Sequence, residues 1–556
     1  MKKALTALTA LLLLLSLLSS VGCADLFNDL NLSPSTTTGS TDSTGSGNDK
    51  VTSGGVVDNT NTDFTDGGFT SDNNIVPIEP VKHKDDDGDE ICDDCGNSVI
   101  VKLDFYSVND LHGKFCDTDS QPGVDELTKY FKNAKNKNPN TILLSTGDMW
   151  QGSSESNLTE GAIVTEWMNN LGFASMTLGN HEFDWGEDKI KANDELANFP
   201  FLAINIYNKE TDKRVDYCKS SVMVEKNGVK IGIIGAIGDC YSSISGERVK
   251  DVYFKTGKEL SALVKVESEM LKARGADFII YAIHDGYGGR NANASIATDS
   301  MISSYYDVSL SDGYVDLVFE GHSHYYYTFA DKHGVYHLQG GGDNDGISHV
   351  SVNVNLVNKT HKVDSASFVP ISQIASAYEG DAMVGELLQK YDDKIAVGNK
   401  LLGTTSKKVT GDTLRQLSAK LYYQAGEEMW GDKYDIALGG GYFSVRSPYN
   451  LEAGEIRYSH LQTIFPFDNQ LVLCSIKGRD LRDRFFETDN SNYFIYYGAY
   501  GASIRDNIDL NATYYVIVDT YSSSYAPNKL TVVEYYTEGV YTRDLLAKYA
   551  EEGGFN

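Results

Sequence analysis

Polar residues that can bind metal ions recur directly after short apolar segments in the first part of the chain. In chain order they are Asp110, His112, Asp148, Asn180, His181, Asp184, His284, His322 and His324. Alternate residues of an extended segment share a face, so Asp110 and His112 present two ligands on one side, as do His322 and His324. Mixed carboxylate, amide and imidazole ligands suit Zn, Mn, Fe or Co rather than Ca. These residues therefore predict a site for divalent transition-metal ions.

One carboxylate in this set is placed to serve two ions. Asp148 lies between the other ligands in sequence, and a carboxylate can bridge two cations. Two divalent ions ~3.5–4 Å apart can clamp the attacking and leaving oxygens of a phosphoryl group and can activate water near neutral pH. The pattern predicts a two-metal phosphoester hydrolase. The alternative is a set of structural histidines, although so many His and Asp side chains at strand ends need partners or solvent.

The segment Leu178–Gly186 carries the pattern around which the rest is organised. Gly179 allows a sharp turn after an apolar run, and Asn180 offers a neutral oxygen to a cation. His181 is then free to act on the substrate, and Asp184 can orient and charge its imidazole. We therefore predict that His181 and Asp184 form a catalytic pair. Taken alone, the segment also fits a polar loop with a surface histidine.

The elements that must position these residues alternate between strand and helix. Apolar runs predict strands at Val99–Val108, Thr141–Ser145, Phe173–Leu178, Phe201–Ile206, Val229–Ile237, Ala276–Ile283 and Val315–Phe319. Helical stretches intervene, most clearly Lys255–Arg274. This alternation is typical of an α/β layered domain, in which sites form at the carboxyl ends of the strands. Later strand-like runs, at Tyr434–Leu438, Gln470–Ile476 and Tyr514–Val518, predict a second mixed α/β domain.

Composition limits the classes of partner. The formal net charge of −30 argues against binding of a nucleic-acid polymer, because phosphate backbones attract basic surfaces. An acidic protein with a small phosphate-bearing substrate needs local cations, which metal ions would supply. The 556 residues suffice for two or three domains, and we expect a monomer.

The first residues predict export from the cytoplasm. Met1–Lys3 is basic, and Ala4–Leu18 is apolar but too short to span a bilayer. The segment ending at Cys23 resembles a bacterial lipoprotein cleavage site, so we predict a lipid anchor on Cys23 that holds the protein at the outside of the cell membrane. The alternative is a secreted protein cleaved near Gly22.

An acidic segment precedes the first predicted strand. Its alternating carboxylates, with a glycine at the bend, predict a calcium loop with the ligands Asp85, Asp87, Asp89 and Asp93. The segment resembles a single thrombospondin type 3 repeat, closed by a disulfide between Cys92 and Cys95. The alternative is a solvated acidic spacer. A second, weaker pairing is Cys218 with Cys240, because an extracytoplasmic chain permits disulfides but sequence does not fix their pairing.

Changes in composition predict the domain organisation. We expect a signal peptide at 1–22, a disordered tether at 23–83, the acidic segment at 84–97, a first α/β domain at 98–372, a helical connector at 373–400 and a substrate domain at 401–550. The tether is rich in Ser, Thr, Gly, Asn and Asp and has no apolar period, so it cannot bury enough surface to become ordered.

The order of the motifs resembles that of the calcineurin-like metallophosphoesterases. Asp110-x-His112, Gly147-Asp148, Gly179-Asn180-His181-Glu182, His284 and Gly321-His322-x-His324 follow one another as in that family. Glu182-Phe183-Asp184 and the segment from Glu452 to Gly478 are similar to the secreted bacterial 5′-nucleotidase/UDP-sugar hydrolase branch.

The resemblance implies a four-layer αββα sandwich followed by a smaller mixed α/β substrate-binding domain. It implies one metal site from Asp110, His112, Asp148 and His324, and a second from Asp148, Asn180, His284 and His322. It also implies extracytoplasmic hydrolysis of nucleotide phosphate esters, of the 5′-nucleotidase type or acting on UDP-sugars or 2′,3′-cyclic nucleotides.

The second domain carries the residues that the resemblance assigns to substrate. Gly439-Gly440-Gly441 followed by Arg446 resembles the segment whose arginine meets a phosphate or carboxylate. The family sandwiches a base between two aromatic residues, for which the candidates are Phe494, Tyr497 and Tyr521. These aromatics also fit simple packing, and Phe467, beside a proline, is expected in the core. The family's ribose-binding Asp is absent downstream of Tyr521, which implies weaker discrimination of ribose from deoxyribose.

Two other functions fit parts of the pattern. The chain could be a tethered surface-binding protein with a structural metal, but a structural site is usually closed and needs no adjacent His–Asp pair. It could also be a phosphoesterase or thiosulfonate hydrolase that acts on something other than a nucleotide.

Overall fold

The structure is a computed structural model that describes residues 83–117, 122–287, 307–443, 445–446, 449–486, 494–498, 507–525, 529–535 and 541–556. The predicted signal peptide, Cys23 and the predicted tether up to residue 82 lie outside the described residues. Within the described ranges, every helix is too short or too polar to cross a membrane. Residues from Ile78 to Asn556 form one compact unit.

The strands and helices of this unit are as follows. The strands are β1 (Ile100–Val108), β2 (Thr141–Ser145), β3 (Ser175–Thr177), β4 (Phe201–Leu202), β5 (Ile206–Asn208), β6 (Ser221–Lys226), β7 (Val229–Ile237), β8 (Val252–Phe254), β9 (Phe278–His284), β10 (Leu317–Phe319), β11 (Tyr326–Ala330), β12 (Tyr336–Gly340), β13 (Gly346–Asn355), β14 (His361–Pro370), β15 (Leu401–Thr405), β16 (Ile436–Gly441), β17 (Gly454–Arg457), β18 (Leu471–Lys477), β19 (Ile495–Gly498), β20 (Thr513–Asp519) and β21 (Thr531–Tyr535). The α-helices are α1 (Asp125–Lys137), α2 (Ser154–Leu158), α3 (Ala162–Leu171), α4 (Glu187–Leu196), α5 (Gly257–Ala273), α6 (Ile371–Ala377), α7 (Ala382–Lys390), α8 (Asp392–Ile395), α9 (Gly411–Trp430), α10 (Tyr458–Ile464), α11 (Gly478–Leu481), α12 (Thr520–Ser524) and α13 (Thr542–Glu551).

Two six-stranded sheets pack against each other in the first part of the unit. Their strand orders are β14-β13-β1-β2-β3-β4 and β11-β12-β10-β9-β7-β6. Strands β1 to β4 are parallel, as are β7, β9, β10 and β12. Side chains from both sheets form one apolar layer between them, in which Phe105 of β1 stacks on Phe278 of β9 with ring centroids 5.6 Å apart.

Helices cover the two outer faces of this pair of sheets. On one side, Phe131 of α1 and Trp167 of α3 are fully buried in the cluster that covers the first sheet. On the other side, Leu260 and Val264 of α5 pack on the second sheet beside Ile279. The order of layers is helix, sheet, sheet, helix, so the predicted αββα sandwich is confirmed. Both sheets direct the carboxyl ends of their central parallel strands toward the predicted ligands.

A smaller mixed sheet with its own cores follows. Its strand order is β19-β16-β20-β18-β21, with helix α9 packed on one face and the segment Leu481–Phe486 on the other. The connector helices α6 and α7 bury Ile374, Val384 and Leu387 in the first domain's cluster, whereas the next cluster begins at Leu402. We therefore keep the predicted division near residue 400 as a proposal that this change of packing supports.

The predicted disulfides are wrong. All six described cysteines are free, including Cys92 with Cys95 and Cys218 with Cys240. The thiol of Cys218 donates to the carbonyl of Ala203, 3.5 Å away, and that of Cys240 to the carbonyl of Gly238, 3.8 Å away, so each thiol has a backbone partner of its own. Cys95 contacts His83 instead of bonding to Cys92.

The predicted calcium ligands lie in one exposed turn. The carboxylates of Asp85, Asp87 and Asp89 come within 4.8 Å of one another, whereas Asp93 is not part of this group and accepts a hydrogen bond from the backbone N–H of Asp86 at 2.7 Å. The Asp85 carboxylate accepts backbone N–H groups from Gly88, Asp89 and Glu90, so it already serves to close the turn. Calcium binding here stays a prediction.

Candidate active site

The seven predicted metal ligands meet where the two sheets present their carboxyl ends. They form two clusters, one of Asp110, His112 and His324 and one of Asp148, His284 and His322, each with its donor atoms within 4.8 Å of one another. The Oδ1 atom of Asn180 lies 3.1 Å from Nε2 of His284 and so joins the second cluster. The β1–β3 loops supply the carboxylates and the amide, and the second sheet supplies His284, His322 and His324.

Two histidines have one ring nitrogen fixed by the backbone. Nδ1 of His112 donates to the carbonyl of Gln151 at 2.9 Å, and Nδ1 of His284 donates to the carbonyl of Thr146 at 2.7 Å. This partner fixes the tautomer and directs the Nε2 lone pair into the cluster, as metal-ligating histidines require. Burial also lowers the pKa of His112 well below its usual range, which favours the neutral ring that can act as a ligand.

The ligand positions carry backbone strain. Asp110, His112, Asp148, His322 and His324 all have positive φ angles, between 48° and 68°. A non-glycine residue in this region costs on the order of 1–3 kcal/mol and persists only where the surroundings enforce it. Five strained residues among seven predicted ligands indicate that the fold holds these side chains in one arrangement for function.

Glycine is required where the ligand loops touch. A Cβ atom on Gly179 would lie 2.3 Å from Oδ1 of Asp148, and one on Gly147 would lie 2.6 Å from the backbone nitrogen of Gly179. The two loops can therefore approach only because both positions lack a side chain. The donor set, the fixed tautomers and this close approach all fit two divalent ions.

His181 and Asp184 lie beside these clusters in a half-buried position. Nδ1 of His181 donates to Oδ2 of Asp184 at 2.8 Å, and the backbone N–H of His181 donates to Oδ1 of Asp148 at 2.8 Å. Burial opposes charge on the ring, but the carboxylates of Asp184 and Asp148 outweigh it and raise the pKa of His181. Nε2 of His181 lies 2.8 Å from Nη2 of Arg446, which comes from the second domain.

Comparison with known proteins shows which proteins this chain resembles. The calcineurin-like phosphoesterase family matches residues 103–326, which include every predicted ligand. The chain is 27% identical over 429 residues to Protein UshA of Yersinia enterocolitica, covering 68% of this chain and 74% of that protein. It is 28% identical over 433 residues to a 5′-nucleotidase of Vibrio vulnificus, covering 69% and 75%. The solved 5′-nucleotidase precursor of Thermus thermophilus shares the fold, with a TM-score of 0.60 and 17% identity over 81% of this chain and 96% of that one.

Residues 103–326 form a calcineurin-like metallophosphoesterase domain, and the chain is similar to bacterial 5′-nucleotidases over about two thirds of its length. It is a metal-dependent hydrolase of ester bonds. Calcineurin-like phosphoesterases use two divalent metal ions, and the two Asp/His clusters are the residues of this chain that can hold them.

In this metallophosphoesterase, His181 and Asp184 line a cavity of about 470 Å³, and residues of the second domain form much of its wall. His181 and Asp184 form one end, and the second domain contributes Arg446, Phe467 and Tyr521 among others. The ring of Phe467 lies 5.6 Å from that of His181, and the guanidinium carbon of Arg446 lies 5.6 Å from the Phe467 centroid. Phe467 was expected in the core, and this expectation is wrong, because its ring lines the cavity.

Two of the predicted aromatic substrate residues lie elsewhere. Phe494 is 3% exposed and packs against Phe485, with ring centroids 4.1 Å apart. Tyr497 is exposed and lies beside Tyr423 rather than in the cavity. The prediction that Phe494 and Tyr497 bind a base is therefore wrong. Of the three predicted aromatic residues, only Tyr521 lines the cavity.

Sequence reasoning assigned no role to two residues that hold the ligand loops. Glu182 is fully buried, and its carboxylate accepts the backbone N–H groups of Asp148, Met149 and Gly179 at 2.7–2.8 Å. Asn109 donates to Oδ2 of Asp110 at 2.7 Å and accepts from the backbone N–H of Gly340 at 2.8 Å. Both residues are polar and lie next to predicted ligands in sequence, which could have indicated a supporting role. Their hydrogen-bond partners, however, come from other loops and could not be predicted from the sequence.

Proposed function

We propose that this metallophosphoesterase hydrolyses the phosphate ester of 5′-nucleotides outside the cytoplasm, where Cys23 anchors it. The observation that carries the proposal is a single cavity that joins the His181–Asp184 pair to the aromatic side chains of Phe467 and Tyr521. A nucleotide has the same two parts, a phosphate at one end and a flat base at the other. The export signal and Cys23 support the proposed location.

Arg446 fits the phosphate end of such a substrate. Its Nε–H is buried and has no hydrogen-bond partner among the described residues, although buried donors are normally paired. A phosphoryl group beside His181 would accept from this donor and from the guanidinium Nη atoms, and the planar fork of arginine suits two oxygens of one phosphate. Arg446 would then stabilise charge that develops on the phosphoryl oxygens.

His181 fits the role of the acid. Asp184 holds Nδ1, and Nε2 faces the cavity, where it is the partner of Arg446. Once Arg446 turns to a bound phosphate, a proton carried at Nε2 can pass to the oxygen of the departing alcohol. Asp184 keeps the ring in the tautomer and orientation that this step needs. Two divalent ions held by the Asp/His clusters would supply positive charge to the phosphoryl oxygens and a nucleophile from water near neutral pH.

The aromatic side chains of the cavity fit a base. Tyr521 lies in the first turn of helix α12 and contacts Tyr442, with ring centroids 6.4 Å apart and planes at 76°. Phe467 faces the same cavity, so a base between Phe467 and Tyr521 would contact an aromatic face on each side. An aromatic pair is worth ~0.5–1.5 kcal/mol beyond the area that it buries.

A turnover panel in the presence of Mn²⁺ tests the proposal. The substrates are AMP, deoxy-AMP, UDP-glucose, 2′,3′-cyclic AMP and p-nitrophenyl phosphate, each with untreated and chelated enzyme. We expect AMP and deoxy-AMP to be the best substrates and to be turned over at similar rates, with activity lost on chelation and restored by Mn²⁺. Full activity in the chelated protein, or preference for the aryl phosphate over both nucleotides, would contradict the proposal.

A further inference from the structure

A second group of metal-binding side chains lies at the other end of strand β1. His83, Cys92 and Cys95 bring an imidazole nitrogen and two sulfur atoms within 4.8 Å of one another. The predicted catalytic ligands Asp110 and His112 follow the carboxyl end of β1, and a nine-residue strand spans about 30 Å. The cysteine cluster is therefore separate from the active site, which contains no sulfur ligand.

Backbone hydrogen bonds fix the turn that carries the two cysteines. The N–H of Cys92 donates to the carbonyl of Asn97, and the N–H of Gly96 donates to the carbonyl of Cys92, both at 2.8 Å. Gly96 has a φ angle of 70°, which suits glycine at the end of such a turn. Bridges from Ile91 to Ser98 and from Glu90 to Val99 then connect the turn to β1. The two sulfur atoms are thus held by the fold rather than by a flexible tail.

Hydrogen-bond donors are directed at both sulfur atoms. The backbone N–H of Lys84 is directed at Cys92. The side-chain amide of Asn97 donates to Sγ of Cys95 at 3.5 Å. N–H donors favour the thiolate form, which is the form of cysteine that binds metals.

The spacing of the donors matches a tetrahedral zinc site. Zn–S bonds of about 2.3 Å and Zn–N bonds of about 2.0–2.1 Å separate neighbouring sulfur and nitrogen ligands by about 3.6 Å. Sγ of Cys95 lies 3.6 Å from Nδ1 of His83. Two thiolates and an imidazole also exclude Ca²⁺ and Mg²⁺, which take oxygen ligands.

We propose that His83, Cys92 and Cys95 bind one Zn²⁺ ion, with water as the fourth ligand, and that this ion fastens residues 83–97 to the start of strand β1. The site is a third metal site, independent of the two-metal centre. It would make the beginning of the catalytic unit rigid at the point where the rest of the N-terminal chain joins it.

Cobalt substitution tests the site in the full-length protein. In the reduced, metal-stripped protein, Co²⁺ should produce a sulfur-to-cobalt charge-transfer absorption, and one equivalent of Zn²⁺ should remove it. The oxygen and nitrogen ligands of the active site cannot give this band. Cys92→Ser and Cys95→Ser should abolish it and His83→Gln should weaken it, whereas Cys116→Ser should leave it unchanged. Each variant should still hydrolyse p-nitrophenyl phosphate, which shows that it has folded.

Alkylation of the unaltered protein gives a second measurement that does not depend on any variant. Zn²⁺ should slow labelling of Cys95, which is exposed, by at least tenfold and leave the labelling of Cys116 unchanged, as read by mass spectrometry. Absence of a charge-transfer band, persistence of the band in Cys92→Ser, equal labelling of Cys95 with and without Zn²⁺, or a Cys92–Cys95 disulfide that forms in the presence of Zn²⁺ would overturn the proposal.

Discussion

Nη2 of Arg446 lies 2.8 Å from Nε2 of His181, so a cation from the second domain meets the proposed acid of the first. Asp184 binds the other ring nitrogen at 2.8 Å, and the imidazole is therefore held at both nitrogen atoms. The two residues are far apart in sequence and meet only through the packing of the two domains. A phosphate that enters here would replace the imidazole as the hydrogen-bond partner of Arg446.

Replacement of Arg446 by Lys should therefore impair phosphate-dependent catalysis. Lysine keeps the charge but loses the planar fork and the buried Nε–H donor, so we expect a 10–100-fold fall in kcat/KM, by analogy with a lost charge-assisted hydrogen bond of about 1.5–3 kcal/mol. Steady-state kinetics with AMP and p-nitrophenyl phosphate measure the effect. Arg479→Lys, at an exposed position on helix α11, is the matched control and should behave as the unaltered enzyme. An unchanged kcat/KM in Arg446→Lys would remove this arginine from the phosphate site.

Substitutions at Asp148 and Asp184 should have different effects, the first on metal binding and the second on proton transfer. The Asp148 carboxylate is fully buried and lies 3.2 Å from Nε2 of His284, so Asp148→Asn should reduce the number of bound Mn²⁺ ions per chain as well as activity. Asp184 contacts only the ring of His181 among the predicted site residues, so Asp184→Asn should leave the metal content unchanged and lower kcat by about 10²–10⁴-fold. Metal analysis beside kinetics distinguishes the two. Loss of metal from Asp184→Asn would contradict these separate roles.

The aromatic end of the cavity should determine nucleotide affinity. Phe467→Ala and Tyr521→Ala should each raise KM for AMP several-fold. Because the ring of Phe467 lies 5.6 Å from that of His181, only Tyr521→Ala should leave hydrolysis of p-nitrophenyl phosphate nearly unchanged. Tyr497→Ala is the control, since this exposed side chain lies outside the cavity. Equal losses on both substrates in Tyr521→Ala would mean that Tyr521 supports the fold rather than the base.

A buried histidine outside the active site should make stability depend on pH. His337 is fully buried beside Asp331 and Glu320, and although burial opposes its charge, these carboxylates raise its pKa to about 9. The unfolded chain has a histidine pKa of about 6.5. The stabilisation is therefore complete below pH 6.5 and is lost as pH rises to about 9, by up to about 1.4 kcal/mol per pH unit.

His337→Gln should flatten this dependence. Urea unfolding at pH 6, 7.5 and 9, followed by tryptophan fluorescence, compares the variant with the unaltered protein. His349→Gln is the control, because this ring is more exposed and pairs with the single carboxylate of Asp104. A His337→Gln variant that loses stability over the same pH window as the unaltered protein would show that another group titrates there.

Local sequence was sufficient to predict the elements that carry the site. The β2 and β7 strands have the predicted bounds, and β1 and β9 differ by one or two residues, because continuous apolar runs leave few alternatives to a buried strand. The ligands could be predicted because they lie at or shortly after the carboxyl ends of β1, β2, β3, β9 and β10. Strands β11 to β14 were not predicted, since their polar and aromatic residues lack a clear apolar run and depend on pairing with β1 and β10.

Long-range contacts decided the rest. Sequence alone predicted the candidate metal ligands, the His181–Asp184 pair and the α/β class, because motif spacing and strand periodicity are local properties. Only the tertiary structure decided that Phe467 faces the cavity while Phe494 is buried, and that His83 joins Cys92 and Cys95, which are free thiols. Which side of an aromatic ring is covered, and which group a thiol contacts, depends on segments that fold beside it from elsewhere in the chain.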